Sequence, residues 1–366
     1  MKKLMAVLIL VGMLFVTIGA SFTHEINKDV TLEQSSLFDQ LKRREDKGKV
    51  GWAVGSDKHN KGFIIYTEDG GEHWVSQVDE GGLPMLLGGV SAVNQNTAWV
   101  VGNTHDGYGT ILRTRNRGKT WVRQGSVGEI PDIDMVAVSA VSPSTAWVVG
   151  VNGVILKTKN GGATWEQQAV DITPKIFFQD VFALDKNNVW ATGGENKAYI
   201  LHTSNGGKTW TKQGEGDIPP DVYSLLGIHA VNKDVIWTVG VNGSVLITKN
   251  GGHNWTETTR TTTFYHNNHV VAISDLIVWV AMDYSDILYS DDGGKNWDSY
   301  SPSIGVGSDY YMGITALNEN EIWAVSVASD GHGRIAYTKD GGSNWISQIN
   351  PVISDLRRIS FVGALR

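Results

Sequence analysis

The sequence predicts an all-β protein, a seven-bladed β-propeller of four-stranded antiparallel blades. Three observations predict this fold. The 366 residues include 14 tryptophans and 43 glycines but no cysteine. The tryptophans fall in seven pairs that recur about every 45 residues, a period typical of propeller blades. Each repeat reads as four short β-rich runs, and none of them contains a helical pattern of useful length. Four-stranded units repeated in this way are the architecture of a propeller.

Residues 1–20 are predicted to be a signal peptide. Lys2 and Lys3 precede an uncharged apolar run from Leu4 to Ile18, and small residues follow it, as in secretory signals. An uncut membrane anchor is the alternative, because the run approaches the ~18 residues that span a bilayer. Residues 21–49 read as a polar spacer and residues 50–366 as the propeller. We therefore expect an exported protein that is extracellular, bound at the cell surface or periplasmic.

The second tryptophan of each pair closes an octet of the pattern Ser/Thr-x-Asp/Asn-x-Gly-x-x-Trp. This chemistry is that of a turn, in which the Asp or Asn side chain bonds the backbone two residues on and glycine adopts a positive φ. We interpret the seven octets as structural rather than catalytic. Their Asp and Asn residues are Asp69, Asn116, Asn160, Asn205, Asn250, Asp292 and Asp340, and their tryptophans are Trp74, Trp121, Trp165, Trp210, Trp255, Trp297 and Trp345.

The four runs of a repeat are predicted to be short strands, which we label A (inner) to D (outer). The first tryptophan lies in strand B, strand C ends in the octet, and the octet tryptophan opens strand D. Strand A comes ahead of the first tryptophan of its repeat at a constant spacing, as GGVSAV (88–93) does for Trp99. No such run precedes Trp52, but LRRISFVG (356–363) carries the missing pattern. The C-terminal segment is therefore predicted to pair into the first blade, which leaves no open sheet edge.

Loop lengths distinguish the two faces of the predicted ring. The A–B and C–D connections have constant length. The interval between paired tryptophans varies, being short from Trp147 to Trp165 and longer from Trp52 to Trp74, and the difference lies in the B–C loop. The D–A connections, which share the face of the B–C loops, also vary. Function is expected on this variable face, because loops on a rigid scaffold usually carry it.

Aromatic and charged residues just ahead of the A strands are the candidate binding residues. Aromatic side chains at a channel mouth suit a protein or sugar surface, and packing between blades is the alternative. The aromatic candidates are Phe177, Phe178, Tyr223, Phe264, Tyr265, Tyr310 and Tyr311. The polar candidates are Asp180, His269, Asp309, Arg357 and Arg358.

The composition excludes several kinds of site. The formal net charge of −7 argues against a nucleic-acid partner, and the missing cysteines exclude disulfides, thiolate metal sites and a cysteine nucleophile. His229 stands where equivalent positions hold serine, and we expect a hydrogen-bonded core histidine there. His266 and His269 lie three apart on an extended segment and so point to opposite faces. We therefore predict no metal and no cofactor.

The repeat resembles the Asp-box, or bacterial neuraminidase repeat, class. WAVG (52–55) and WVVG (99–102 and 147–150), followed by octets such as TEDGGEHW (67–74), are most similar to the photosystem II assembly and stability factor family. The resemblance implies an exported, non-enzymatic, seven-bladed propeller that assembles a membrane complex through protein contacts, and we expect a monomer. The photosynthetic members are thought to use an arginine-rich patch. Here Arg357 and Arg358 form the only adjacent arginine pair inside the predicted ring, so the resemblance does not identify the photosystem as the partner.

Two alternatives to a protein-binding scaffold remain open in the sequence. Asp-box propellers include sialidases, which need three arginines for a carboxylate, and other glycoside hydrolases, which need two carboxylates beside the sugar bond. Four aspartates near A strands are candidates for such a pair, although turn formation is the simpler interpretation: Asp134, Asp180, Asp221 and Asp309. A carbohydrate-binding propeller without catalysis is the second alternative. The expected partner is thus a protein or cell-envelope complex, or a carbohydrate.

Overall fold

A computed structural model describes residues 48–366, except 170–171, 173–174, 263–264, 285, 303–308, 329–331, 349–352 and 366. The predicted signal peptide and almost all of the predicted spacer lie outside the described residues, and so does Phe264. The described chain is all-β, and its one helical segment is a three-residue 3₁₀ turn at Val241–Gly243. Within this part of the chain, no helix is long and apolar enough to cross a membrane.

The strands, numbered in chain order, fall into four classes by their position in the sheets. The A strands are β4 Leu87–Asn94, β8 Met135–Ala140, β12 Phe178–Ala183, β16 Leu225–Ala230, β20 Asn267–Ala272, β24 Asp309–Ala316 and β28 Asp355–Phe361. The B strands are β1 Gly51–Ser56, β5 Thr97–His105, β9 Ala146–Gly150, β13 Val189–Gly194, β17 Ile236–Gly240, β21 Val278–Met282 and β25 Ile322–Ala328. The C strands are β2 Gly62–Thr67, β6 Tyr108–Thr114, β10 Ile155–Thr158, β14 Ala198–Thr203, β18 Val245–Thr248, β22 Ile287–Ser290 and β26 Arg334–Thr338. The D strands are β3 Val75–Ser76, β7 Val122–Arg123, β11 Glu166–Gln167, β15 Thr211–Gln213, β19 Thr256–Glu257, β23 Asp298–Tyr300 and β27 Ile346–Gln348.

Five sheets have four antiparallel strands in the order A-B-C-D, and each is built from one continuous stretch of chain. The remaining sheet combines β24–β27 with β28, β1, β2 and β3. One residue pair, Val327 with Asp355, joins these two groups. Strand β28 pairs antiparallel with β1 from Gly51 opposite Phe361 to Ser56 opposite Asp355. Multiple four-stranded antiparallel sheets are the architecture of a β-propeller, as the sequence predicts.

The strands of a unit differ in length more than the sequence pattern indicates. The D strands are very short, as in Val75–Ser76. The A and B strands are longer, as in β4 and β5 of the second unit. Each D strand follows directly after the octet turn and pairs only with its C strand. Strand β5 is long because its hairpin with β6 continues into the loop, where His105 pairs with Tyr108.

The first tryptophan of every pair is the centre of the core. All seven have 0% of their surface exposed: Trp52, Trp99, Trp147, Trp190, Trp237, Trp279 and Trp323. Most are covered by the residue that pairs with them on the C strand. The rings of Trp190 and His202 stack at 4.4 Å, and the Lys157 ammonium lies 4.8 Å from the centre of Trp147. Aromatic and cationic side chains both suit the face of an indole.

The octets form the predicted turns with one difference. The Thr67 hydroxyl donates to Asp69 Oδ1 at 2.8 Å and accepts from the backbone N–H of Gly71 at 2.8 Å. Asp69 Oδ1 accepts from the backbone N–H of His73, four residues on and not two as predicted. The reason is that Gly70 and Gly71 both have positive φ, 75° and 93°, which folds the chain back over the carboxylate. The same bond to the fourth residue recurs in the other six octets.

A glutamine three residues after the octet tryptophan docks each of several turns onto the preceding sheet. Gln348 Nε2 donates to the Gly70 carbonyl at 2.9 Å, and its Oε1 accepts from Trp74 Nε1 at 3.1 Å. A Cβ on Gly71 would lie 2.0 Å from the same Oε1 and would displace the glutamine, and the φ of 93° also favours glycine there. This contact was not predicted, although the pattern W-x-x-Q is present in five of seven repeats, with glutamines Gln77, Gln124, Gln168, Gln213 and Gln348.

Candidate binding site at the central cavity and its mouth

Residues from all seven A strands line one cavity of about 110 Å³, which we call the A-strand cavity. Two positions of each strand carry its chemistry. The position that pairs with the core tryptophan holds Ser91, Ser139, Phe182, His229, Val271, Thr315 and Ser360. Two residues earlier, the strands hold Gly89, Ala137, Asp180, Gly227, His269, Gly313 and Arg358.

The first of these positions links neighbouring A strands. Ser91 Oγ accepts from the backbone N–H of Ala140 at 3.1 Å, and the hydroxyls of Ser139 and Ser360 make the same contact with the next strand at 3.0 Å. His229 Nδ1 accepts from the Ala272 N–H at 3.3 Å, while its Nε2 lies 3.2 Å from the Leu365 carbonyl. Both ring nitrogens are therefore bonded in the Nε2–H tautomer, as expected for a core histidine.

We expect His229→Ser to reduce the acid sensitivity of the fold. Burial lowers the pKa of His229 to about 4, so between pH 6.5 and 4 the unfolded chain binds more protons at this residue than the folded chain. The stability that this difference provides is complete above pH 6.5 and is lost as the pH falls, by about 2 kcal/mol between pH 7 and pH 5. Serine keeps a hydrogen-bond acceptor without the titration.

Urea unfolding at several pH values between 5 and 7 measures this effect. The replacement leaves a small void, which shifts stability equally at every pH, so the comparison is between slopes. Parallel pH dependences in the two proteins would contradict the assigned role of His229.

The second position brings together three of the predicted binding residues. Asp180 accepts from the backbone N–H groups of Val181 and Ile228, each at 3.0 Å, and its Oδ2 lies 3.7 Å from His269 Nε2. Arg358 Nη1 donates to the Met312 carbonyl. Burial raises the pKa of Asp180 to about 6, although the charge of Arg358 opposes this shift. His269 Nδ1 lies 3.1 Å from the Ile314 carbonyl. Asp180 and His269 thus line the cavity and contact the backbone of neighbouring A strands.

A larger pocket of about 320 Å³ lies next to this cavity, and we call it the mouth pocket. It shares Arg358 with the A-strand cavity, and Arg357, Leu86, Met135, Phe177 and Met312 also line it. Arg357 is exposed and donates to Asp355 at 2.5 Å. Apolar walls beside two guanidinium groups suit a ligand that has an apolar part and a carboxylate.

The prediction that Phe178 and Tyr311 are binding residues is corrected by the structure. Both side chains are fully buried, at 0% exposure, so the alternative of packing between blades holds for them. Their neighbours Phe177 and Tyr310 are 38% and 39% exposed. The difference arises because successive residues of an extended strand point to opposite sides.

Two further tyrosine candidates remain accessible. Tyr223 is exposed, and Tyr265 is half-buried. The ring of Tyr265 stacks on Tyr284 at 4.7 Å, a residue that the sequence analysis missed. Tyr284 is exposed and has φ of 73°, a conformation that a bulky side chain rarely adopts. No sequence pattern indicates this stacked pair, because it joins a D–A connection to a B–C loop.

The four aspartates proposed for a glycosidase pair do not share one cavity. Asp309 forms a buried ion pair with Arg334, and Asp221 binds Arg260 through two contacts of 2.6 and 3.0 Å. Asp134 lines the mouth pocket and accepts from the Thr104 N–H at 2.9 Å. Asp180 lines the A-strand cavity. No two of these four side chains line the same one of the two cavities described above.

One group of possible metal ligands occurs among the described residues. Asp69, Glu72 and His73 place ligand atoms within 4.8 Å of one another. His73 Nδ1 already lies 2.7 Å from Asp69 Oδ2, and Asp69 Oδ1 is a part of the octet turn. The hydrogen bonds of the turn account for this grouping without a cation.

The four-stranded sheets, the repeated octet turns and the cavity among the A strands define the chain as a β-propeller of the Asp-box class. The family model described as photosynthesis system II assembly factor YCF48 matches residues 129–225 and 216–364. These segments cover more than half of the chain, which therefore belongs to this family.

Solved structures share the fold at low sequence identity. The structure described as YCF48 bound to D1 peptide is 22% identical, with a TM-score of 0.56 over 72% of this chain and 82% of that one. YCF48 from Cyanidioschyzon merolae is 18% identical, with a TM-score of 0.55 over 75% and 88%. Virginiamycin B lyase from Staphylococcus aureus is 17% identical, with a TM-score of 0.56 over 76% and 92%. Comparison with curated proteins found no significant match.

Proposed function

We propose that this protein is a non-enzymatic assembly scaffold that binds a protein partner at the mouth pocket. Membership of the YCF48 family supports an assembly role, and one structural neighbour is a YCF48 protein bound to D1 peptide. The observation that carries the proposal is the mouth pocket itself. It combines exposed Phe177 and apolar walls with Arg357 and Arg358, on the side where the loops vary in length.

We further propose that the four-stranded units are seven blades of one closed ring. Strands β28, β1, β2 and β3 then form the first blade, and β24–β27 form the last. The pairing of β28 with β1 supports this arrangement, and so does the lining of one cavity by all seven A strands. Closure by the last strand removes the open sheet edge that a linear array would expose.

Export is part of the same proposal. The n-region, apolar run and small residues of positions 1–20 support a cleaved signal peptide. The partner then belongs to the cell envelope or its surroundings. The chain carries a formal net charge of −7, yet Arg357 and Arg358 place two positive groups at the mouth pocket.

Replacing Phe177 by serine and Arg357 by glutamate tests the partner site. Both side chains are exposed, so the fold should be retained, while the apolar contact and one guanidinium are lost together. We expect at least tenfold weaker retention of a specific envelope protein on the immobilised variant, identified by mass spectrometry against the native chain. Buried aromatic and arginine contacts commonly dominate interfaces by this margin.

Lys208→Glu is the charge-matched control, because Lys208 is an exposed residue of an octet. It should retain the same protein as the native chain. Equal retention by the mouth-pocket variant would refute the proposed site. Hydrolysis of fluorogenic glycosides that disappears in Asp180→Asn would instead support the glycosidase alternative.

A further inference from the structure

One sheet differs from its neighbours where its C strand begins. In five units the residue five positions before the octet Ser/Thr is glycine, and its backbone N–H donates to a carbonyl of the following D–A connection. The five bonds run from Gly62 to Leu83, Gly109 to Pro131, Gly153 to Ile176, Gly243 to Tyr265 and Gly333 to Ile353. The equivalent residue of the fourth unit in chain order is Ala198, the first residue of β14.

The alanine changes how the connection packs. A Cβ on Gly62 would lie 2.3 Å from the Met85 carbonyl oxygen, and one on Gly109 would lie 2.6 Å from that of Ile133, so glycine permits the close approach. The methyl group of Ala198 forbids it. Within the described residues, the connection from Gly214 to Ser224 makes no backbone hydrogen bond to Ala198.

A pocket of about 330 Å³ lies among the start of β14, the end of β15 and this connection. The more accessible part of its apolar lining is Ile218, Pro219 and Pro220, and the nearly fully buried Ala198, Ile200 and Val222 lie beneath. Strand β15 pairs with β14 only from Ile200 onward, so the edge at Ala198 lacks a strand partner among the described residues. An open edge of this kind accepts an extended peptide through main-chain hydrogen bonds.

Two lysines give the pocket its charge. The ammonium groups of Lys197 and Lys212 lie 5.9 and 5.6 Å from the ring centre of Tyr199. Neither forms an ion pair within the part of the chain that the structure describes, although Glu215 also lines the pocket. In an acidic protein, two lysines that outnumber the one carboxylate of the pocket favour a ligand that supplies carboxylates.

We propose that this pocket binds an extended acidic peptide segment, which places one bulky apolar side chain against Ile218 and Pro219 while its carboxylates face Lys197 and Lys212. A peptide carbonyl accepts from the Ala198 N–H. The pocket shares no lining residue with the mouth pocket, so it is a second site that does not depend on the partner proposed above.

Fluorescence anisotropy with a labelled hexapeptide tests the proposal. The probe is two aspartates, leucine, phenylalanine and two aspartates, and its matched controls have asparagines in place of the aspartates or alanines in place of the apolar pair. We expect saturable binding of the probe and no saturable binding of either control peptide. Lys197→Glu with Lys212→Glu should weaken it at least tenfold, while exposed Lys208→Glu with Lys233→Glu should leave it within twofold.

Ala198→Gly provides an independent variant that keeps both lysines. It should let the connection close on β14 and weaken the probe at least threefold. The Phe177→Ser, Arg357→Glu variant should bind the probe normally, which separates this site from the mouth pocket. No saturable binding at about 1 mM probe, or equal binding by the Lys197/Lys212 variant, would overturn the proposal, as would decanoate binding with no peptide binding.

Discussion

A chain that ends at Gln348 is expected to lose cooperative folding. The deletion removes β28, whose Leu356, Ile359 and Phe361 are buried between the first and last units. Burial of three such side chains contributes about 1.5–3 kcal/mol each, and β1 also loses a whole strand partner. The combined loss is comparable with the total stability of a domain, about 5–15 kcal/mol.

Circular dichroism during thermal and urea unfolding checks this expectation. The control chain ends at Gly363, which retains β28 and should unfold in one cooperative transition. A synthetic peptide of residues 353–365, added to the shorter chain, should restore part of the transition by pairing beside β1. A shortened chain that melts cooperatively within a few degrees of the control would refute closure by the last strand.

Trp323→Ala is expected to destabilise the protein more than the other single replacements considered. The indole has 0% of its surface exposed, and its ring lies 4.5 Å from Tyr337 and 4.2 Å from Phe361. Its Nε1 also donates to the Gly70 carbonyl at 3.1 Å, in the octet of the first unit. Truncation of a buried tryptophan typically destabilises by about 3–5 kcal/mol, and here it also loosens the junction between two units.

Trp121→Ala is the matched control, because Trp121 is an octet tryptophan that remains partly exposed. Its Nε1 donates to Gln77 at 3.2 Å, so we expect a smaller loss of about 1–2 kcal/mol. Urea unfolding of both variants gives the two free energies directly. Equal losses would show that the core and octet tryptophans do not differ as their burial indicates.

The repeat chemistry of this protein is largely readable in its sequence. The octet pattern predicts turns with positive-φ glycines, and Gly70 and Gly71 have that conformation. The pattern predicts that the Asp69 side chain accepts from the backbone N–H two residues later. It accepts instead from that of His73, four residues later, because Gly70 and Gly71 both adopt positive φ and turn the chain back. Local rules predict the turn residues well, whereas the hydrogen-bond partner depends on the geometry of the whole octet.

The candidate site is less predictable. Phe177 and Phe178 are both aromatic and adjacent, yet one is 38% exposed and the other is fully buried. Phe178 begins strand β12 and Phe177 directly precedes it, so the two side chains point to opposite sides of the chain. A shift of the strand pairing by one residue would exchange which of them is buried. The stacked pair of Tyr265 and Tyr284 likewise joins segments that are separate in sequence.

Local chemistry repeated seven times accounts for the all-β class, the turn residues and the core tryptophans, so the order of the amino acids was sufficient to predict them. Which residues share a cavity and which charges are buried depends instead on how distant strands meet. Asp180, His269 and Arg358 lie on three different A strands, and their pKa shifts arise from burial among those strands. The same applies to Ala198. It is an ordinary residue in the sequence, but the approach of a distant connection makes its one methyl group the wall of a pocket.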